Sequence, residues 1–212
     1  MNTIVGELIK ILPPLLWFAL AATIVFSYRQ RIGDVFSRLN SIEFMGTKLA
    51  CMSDAIDDAL ELAEKAPQWQ VHISPGDKRR ALNRARRHHD VFRGAQFLWV
   101  DDHPENNVNE RRMFRQLDVD IDTVTSNDAA LQVLKVAKYD LIVTDISRDN
   151  QTSNGLDLLR MVREGGMEIP IVIYVGSFLP EMGVPGYAFG IAHRPDQLLH
   201  LTLDVLDRKR DL

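Results

Sequence analysis

Two short runs, Leu141-Ile142-Val143 and Ile171-Val172-Ile173, are apolar without interruption, and they limit the fold more than anything else in the chain. A strand with one wet face alternates apolar and polar residues, whereas a strand covered on both faces has no reason to. These runs therefore predict interior strands of a parallel sheet. From Gln96 onward, short apolar runs alternate with helical stretches: Phe97–Val100, Asn106–Leu117, Ile121–Val124, Asp128–Ala137, Leu141–Thr144, Gly155–Glu164, Ile169–Val175, Ala188–Ala192 and Pro195–Leu206. That is a β-α unit repeated five times. Right-handed crossovers turn it into a doubly wound, five-stranded parallel sheet with helices on both faces, spanning residues 96–212.

In such sheets ligands sit beyond the carboxyl ends of the strands. The first strand ends in Asp101-Asp102, the third in Asp145 and the fifth in Arg194-Pro195. The first and third strands are central neighbours, so three carboxylates converge. Their mutual repulsion calls for a divalent cation, and hard oxygen ligands suit Mg²⁺, with Asp101, Asp102 and Asp145 as its ligands. Asp145, alone on its strand, is then the natural acceptor of a phosphoryl group. His103 beside the acid pair reads as an exposed loop histidine, and Asn106 as a helix cap. No glycine-rich phosphate loop follows the first strand and no nucleophilic triad presents itself, so an enzyme is not expected.

The segments Val100-Asp101-Asp102, Tyr139-Asp140-Leu141-Ile142-Val143-Thr144-Asp145, Gly155-Leu156-Asp157-Leu158-Leu159, Ile169-Pro170-Ile171-Val172-Ile173 and Arg194-Pro195 resemble the receiver domain of two-component response regulators. They follow that family's order and lie near its spacing. The resemblance implies a flavodoxin-like fold, Mg²⁺ held by Asp101 and Asp102, and a phosphorelay in which a histidine kinase phosphorylates Asp145. It also places the family's phosphate-binding lysine on Arg194, its switch Thr or Ser on Val175, and its mobile aromatic on Ile191. Val175 has no hydroxyl, and Ser177 is the substitute that would contact the phosphate. Arginine keeps the charge but offers a planar fork of donors instead of a compact ammonium. The Gly- and Pro-rich stretch from Gly176 to Gly186 leaves little room for a fourth helix. The loop over Ser147–Asn154 is longer than usual and lacks the family's proline. Two readings stay open: phosphorylation of Asp145 with a modified switch, or a pseudo-receiver that acts as a phosphate-independent protein-binding scaffold.

Upstream, Ile11–Tyr28 contains no Asp, Glu, Lys or Arg over 18 residues, which as a helix reaches roughly 27 Å. Residues 8–28 are thus expected to cross a membrane, within an anchor segment of residues 1–30. Arg29, Arg31, Arg38 and Lys48 follow the span while only Lys10 precedes it. That asymmetry puts the C-terminal bulk in the cytoplasm of a single-pass inner-membrane protein. Residues 31–95 form a juxtamembrane linker, with residues 31–50 readable as strand or helix. Within it lie an acidic helix over 51–66, capped by Ser53, and a basic helix from Ser74-Pro75 to about Phe92. Lys78, Arg79, Arg80, Arg84, Arg86 and Arg87 crowd the second helix. No aromatics are interleaved to stack on bases, so pairing with the acidic helix or the lipid surface is favoured over nucleic acid. Self-association through 31–92 is a further expected use of the linker. Cys51 is the single cysteine, which excludes an internal disulfide.

Overall fold

The computed structural model describes residues 46–65, 72–146, 155–176 and 183–210. The predicted membrane span lies outside these residues; among them, no helix is long and apolar enough to cross a membrane. Leu49–Leu212 forms one compact unit. The receiver-like unit therefore begins far upstream of Gln96 and takes in most of the linker.

Five parallel strands carry the unit: β1 (Gln96–Val100), β2 (Asp120–Val124), β3 (Leu141–Thr144), β4 (Ile171–Tyr174) and β5 (Gly190–Ala192). Their order is β2-β1-β3-β4-β5, the doubly wound arrangement expected. The strands divide their side chains between two cores. Phe97, Trp99, Leu141, Val143, Val172 and Tyr174 face one side, and Leu98, Val100, Ile142, Ile171 and Ile173 the other. Both sides are buried, which is why β3 and β4 read as unbroken apolar runs. Helices α5 (Asn127–Val136) and α6 (Gly155–Glu164) supply Ala130, Leu134, Leu158 and Val162 to the second core. The first core is closed by α4 (Val108–Gln116) and α7 (Pro195–Arg210). Among the described residues no helix lies between β4 and β5; residues 177–182, in the stretch rich in glycine and proline, lie outside them.

The linker helices join the first core. Helix α1 is described over 46–65, and α2 (Pro75–Arg87) and α3 (His89–Phe92) follow. Ser74 caps α2 as predicted, its hydroxyl accepting from the Asp77 amide at 3.1 Å. The basic stretch is broken at His88, whose backbone (φ −114°, ψ 22°) leaves the helical region, so one expected helix is two. Ser53 is not a cap. The helix already runs through it, and its hydroxyl bonds back to the Leu49 carbonyl at 2.8 Å and accepts from Arg86 Nε at 3.0 Å. The basic side chains find acidic partners on either side. Lys78 donates to Glu64 at 2.6 Å, which holds that carboxyl below its ordinary range. Arg84 pairs with Asp204 of α7, and His88 lies 3.4 Å from Asp207.

Phe92 shows how firmly the linker belongs to this unit. Its fully buried ring packs 6.2 Å from that of Phe114, which in turn meets Phe97 of β1 at 5.4 Å. Phe92→Ala opens a cavity that the surrounding aromatics cannot close, and is expected to cost about 3 to 5 kcal/mol. Chemical denaturation of the full chain would register it as a single cooperative shift of the whole Leu49–Leu212 unit. A linker that merely rested on the surface would leave the main transition in place.

The acidic cleft as candidate functional site

Register brings the carboxylates together. β1 and β3 pair so that Val100 stands opposite Thr144. The residues one step beyond, Asp101 and Asp145, then emerge side by side, with the Asp145 amide donating to the Val100 carbonyl at 3.3 Å. Asp102 follows on the same turn. One carboxylate oxygen from each of Asp101, Asp102 and Asp145 lies within 4.8 Å of the others. The expected triad therefore forms, at the carboxyl end of the sheet.

The cleft above it is about 360 Å³ and is lined by Asp101, His103, Asn106, Asn107, Asp145, Tyr174 and Gly176. Asp101 is buried and is held at both oxygens. Oδ1 accepts from the His103 amide at 2.8 Å, and Oδ2 accepts from the Asn107 side-chain amide. His103 itself is exposed, its ring 3.1 Å from Glu105, in keeping with its reading as a loop residue. Asn106 does not begin α4. A 3-10 turn over Pro104–Asn107 comes first, and α4 starts at Val108. Hard oxygen donors at this separation suit a small divalent cation, and Asp101, Asp102 and Asp145 would hold it.

Arg194 does not reach the cleft. Its guanidinium grips Asp196 with two bonds of 3.0 and 2.7 Å, lies 3.6 Å from Asp77, and donates to the His72 carbonyl at 3.3 Å. The planar fork that distinguishes arginine from lysine favours this two-pronged grip on a carboxylate. In place of the contact expected for Arg194, the side chain here engages Asp196 of α7 and Asp77 of α2. Ser177 and the loop over 147–154 lie outside the described residues. Val175, where the resemblance places the switch residue, is buried, and its amide donates to the Ala192 carbonyl at 3.0 Å.

Beneath the cleft sits a polar group that the sequence did not single out. Tyr174 donates to Glu110 Oε1 at 2.9 Å, both side chains being buried, and its ring meets Trp99 edge-on at 6.2 Å. Arg111 lies over the Trp99 ring, 5.8 Å from its centre. Burial pushes the Glu110 carboxyl above its ordinary 4.5, against the pull of the Tyr174 hydrogen bond and nearby Arg111. A carboxyl that holds its proton more tightly when folded makes stability fall as pH rises from about 4.5 through the raised value. Glu110→Gln keeps the acceptor for Tyr174 and cannot ionise. The variant is expected to be more stable than the parent at pH 8, with the difference shrinking toward pH 4.5. Denaturation midpoints across that range would measure it, and parallel curves would refute the assignment. Glu110 was missed because a lone Glu on an amphipathic helix is most often exposed; only its tertiary neighbours reveal it.

The family model for the response regulator receiver domain matches residues 97–191. The sensor protein EvgS of Escherichia coli strain K12 is 35% identical over 74 residues, and so is its counterpart in strain O157:H7. In each case the match takes in 35% of this chain but spans only 6% of the relative's length. Among solved structures, the Francisella response regulator 1452 receiver domain is 19% identical, with a TM-score of 0.49 over 55% of this chain and 99% of that one. The chemotaxis response regulator CheY4 of Vibrio cholerae is 22% identical, with a TM-score of 0.45 over 53% and 98%. The match to the receiver-domain model covers residues 97–191, the stretch that forms the β2-β1-β3-β4-β5 sheet and carries the acidic triad at its carboxyl edge.

Proposed function

We propose that the chain is a membrane-anchored receiver that takes a phosphoryl group onto Asp145, with Mg²⁺ held by Asp101, Asp102 and Asp145. The observation that carries this reading is the triad itself, three carboxylate oxygens within 4.8 Å of one another. Carboxylates this close disfavour one another's ionised form, and a bound cation relieves that repulsion. Bound Mg²⁺ supplies the positive charge that lets an anionic donor approach an anionic acceptor. The chain's part is positional. An oxygen of Asp145 attacks phosphorus, the bond from phosphorus to the donor nitrogen of a kinase histidine breaks, and its electron pair stays on that nitrogen. The acyl phosphate formed is the signal, and the protein acts as phosphoacceptor, not as an enzyme. Arg194 contacts the phosphate only by leaving Asp196 and Asp77, and Ser177 is proposed as a hydroxyl partner. Residues 8–28 hold the unit at the cytoplasmic face of the inner membrane.

The test is the full chain incubated with Mg²⁺ and a small phosphodonor. Intact-mass spectra should show one phosphate adduct, removable by hydroxylamine and mapping to Asp145. Fractionation and protease access from the cytoplasmic side test the anchor separately. A second reading, the phosphate-independent scaffold, draws on Val175 without a hydroxyl and on Arg194 held away from the cleft. It is favoured if no adduct forms and Mg²⁺ leaves the thermal midpoint unmoved.

A further inference from the structure

We infer that Asn107 is a positioning residue of the cation site: it holds Asp101 through its side-chain N–H and offers its amide oxygen to a water carried by the cation. The inference rests on the reading of the cleft as a Mg²⁺ site, and adds a member to it that the acidic triad does not imply.

Three observations carry it. Asn107 is only 5% exposed, yet it lines the cleft. Its Nδ2 donates to Asp101 Oδ2, while its Oδ1 is buried and has no hydrogen-bond partner. It also stands at the N-cap position of α4, where an asparagine ordinarily gives its side-chain oxygen to a backbone N–H of the first turn. Here no such bond is made. The capping bond has been given up, and a buried acceptor is left waiting, an arrangement that disfavours the empty site.

The direction of the amide follows from charge. Turned over, it would set its oxygen against the Asp101 carboxylate, acceptor against acceptor. The negative charge of Asp101 thus fixes the N–H toward itself, and the oxygen is left as the acceptor awaiting a donor. The donor that fits is a water O–H. Mg²⁺ sheds its waters reluctantly and keeps several of them in protein sites, and the cation makes those waters stronger donors. One amide therefore does two things: it orients a carboxylate ligand, and its oxygen would accept from a cation-bound water. Such outer partners commonly contribute about 10- to 100-fold in metal affinity.

The experiment is calorimetric titration of the full chain with MgCl₂, together with thermal midpoints in chelator and in excess Mg²⁺. Asn107→Leu, close in size, loses both functions and should weaken Mg²⁺ binding by about tenfold. Asn107→Asp keeps an oxygen, loses the N–H and adds a fourth carboxylate. Its midpoint in chelator should lie below the parent's, and its rise on adding Mg²⁺ should exceed the parent's. Asn107→Leu binding Mg²⁺ within twofold of the parent would overturn the inference. If that variant fails to fold, a Mg²⁺-induced rise in Asn107→Asp no larger than the parent's would do so. A parent chain that takes up no Mg²⁺ overturns the reading of the whole cleft. Intact parental binding that is lost in Asp145→Asn but unaltered in Asn107→Leu overturns only the role of Asn107.

Discussion

Asp145→Asn is expected to abolish phosphate uptake completely and, in the same protein, to raise stability when Mg²⁺ is absent. The first effect follows from chemistry: an amide oxygen is too weak a nucleophile to form an acyl phosphate. The second follows from electrostatics. Two unit charges about 4 Å apart at a partly screened protein site repel by roughly 4 kcal/mol, and solvent and protonation absorb part of that. Removing one of three carboxylates that share a space within 4.8 Å should therefore stabilise the chelator-treated chain by about 1 to 2 kcal/mol. Stabilisation by added Mg²⁺ should be smaller than in the parent, because a ligand has been lost. Thermal midpoints in chelator and in Mg²⁺ measure both signs at once. A variant less stable in both conditions would mean that Asp145 is structural and that the triad is incidental.

Gly155→Ala has the next largest expected effect, and it acts through the backbone. A Cβ at Gly155 would lie 1.9 Å from the Asp145 carbonyl oxygen and 2.9 Å from its carbonyl carbon. Neither is a flexible side-chain end that could swing aside. The Gly155 amide also donates to the Ile146 carbonyl at 3.0 Å, so the start of α6 is seated directly on the strand end that presents Asp145. Making room requires a displacement on the order of 1 Å of one or the other. Overpacking of this kind costs about 3 kcal/mol, and a 1 Å misplacement of a reacting group lowers a rate by about 100-fold. The variant should stay folded, take up Mg²⁺ weakly and accept phosphate about 100-fold more slowly. Phosphorylation at the parental rate would show that α6 can retreat without moving Asp145.

Much of the site was legible in the chain because it depends on strand ends. Asp101-Asp102 and Asp145 each follow an apolar run. Once both runs are read as central strands of one parallel sheet, their last residues must meet. Asn107 escaped notice because Asn106-Asn107 at a helix start suggests capping, and which of the two amides turns inward depends on a 3-10 turn at Pro104–Asn107. Arg194 was expected at the phosphate because the family resemblance places a phosphate-binding lysine at this position, just past the fifth strand. Position on a strand end does not say which anion a long side chain will choose. Asp196, two residues away and almost fully buried, and Asp77, from the linker, are both within its reach.

Sequence by itself determined the kind of sheet: unbroken apolar runs made its strands interior and parallel, and right-handed crossovers put helices on both faces. Those are repeating backbone properties that any local window displays. The extent of the compact unit and the partners of its charged side chains were decided only in three dimensions. Arg194 meets the carbonyl of His72 across 122 residues, and Arg84 meets Asp204 across 120. No periodicity announces such pairs. Several acids compete for each cation, and the winner is set by which helix faces come to lie together once the two cores have closed.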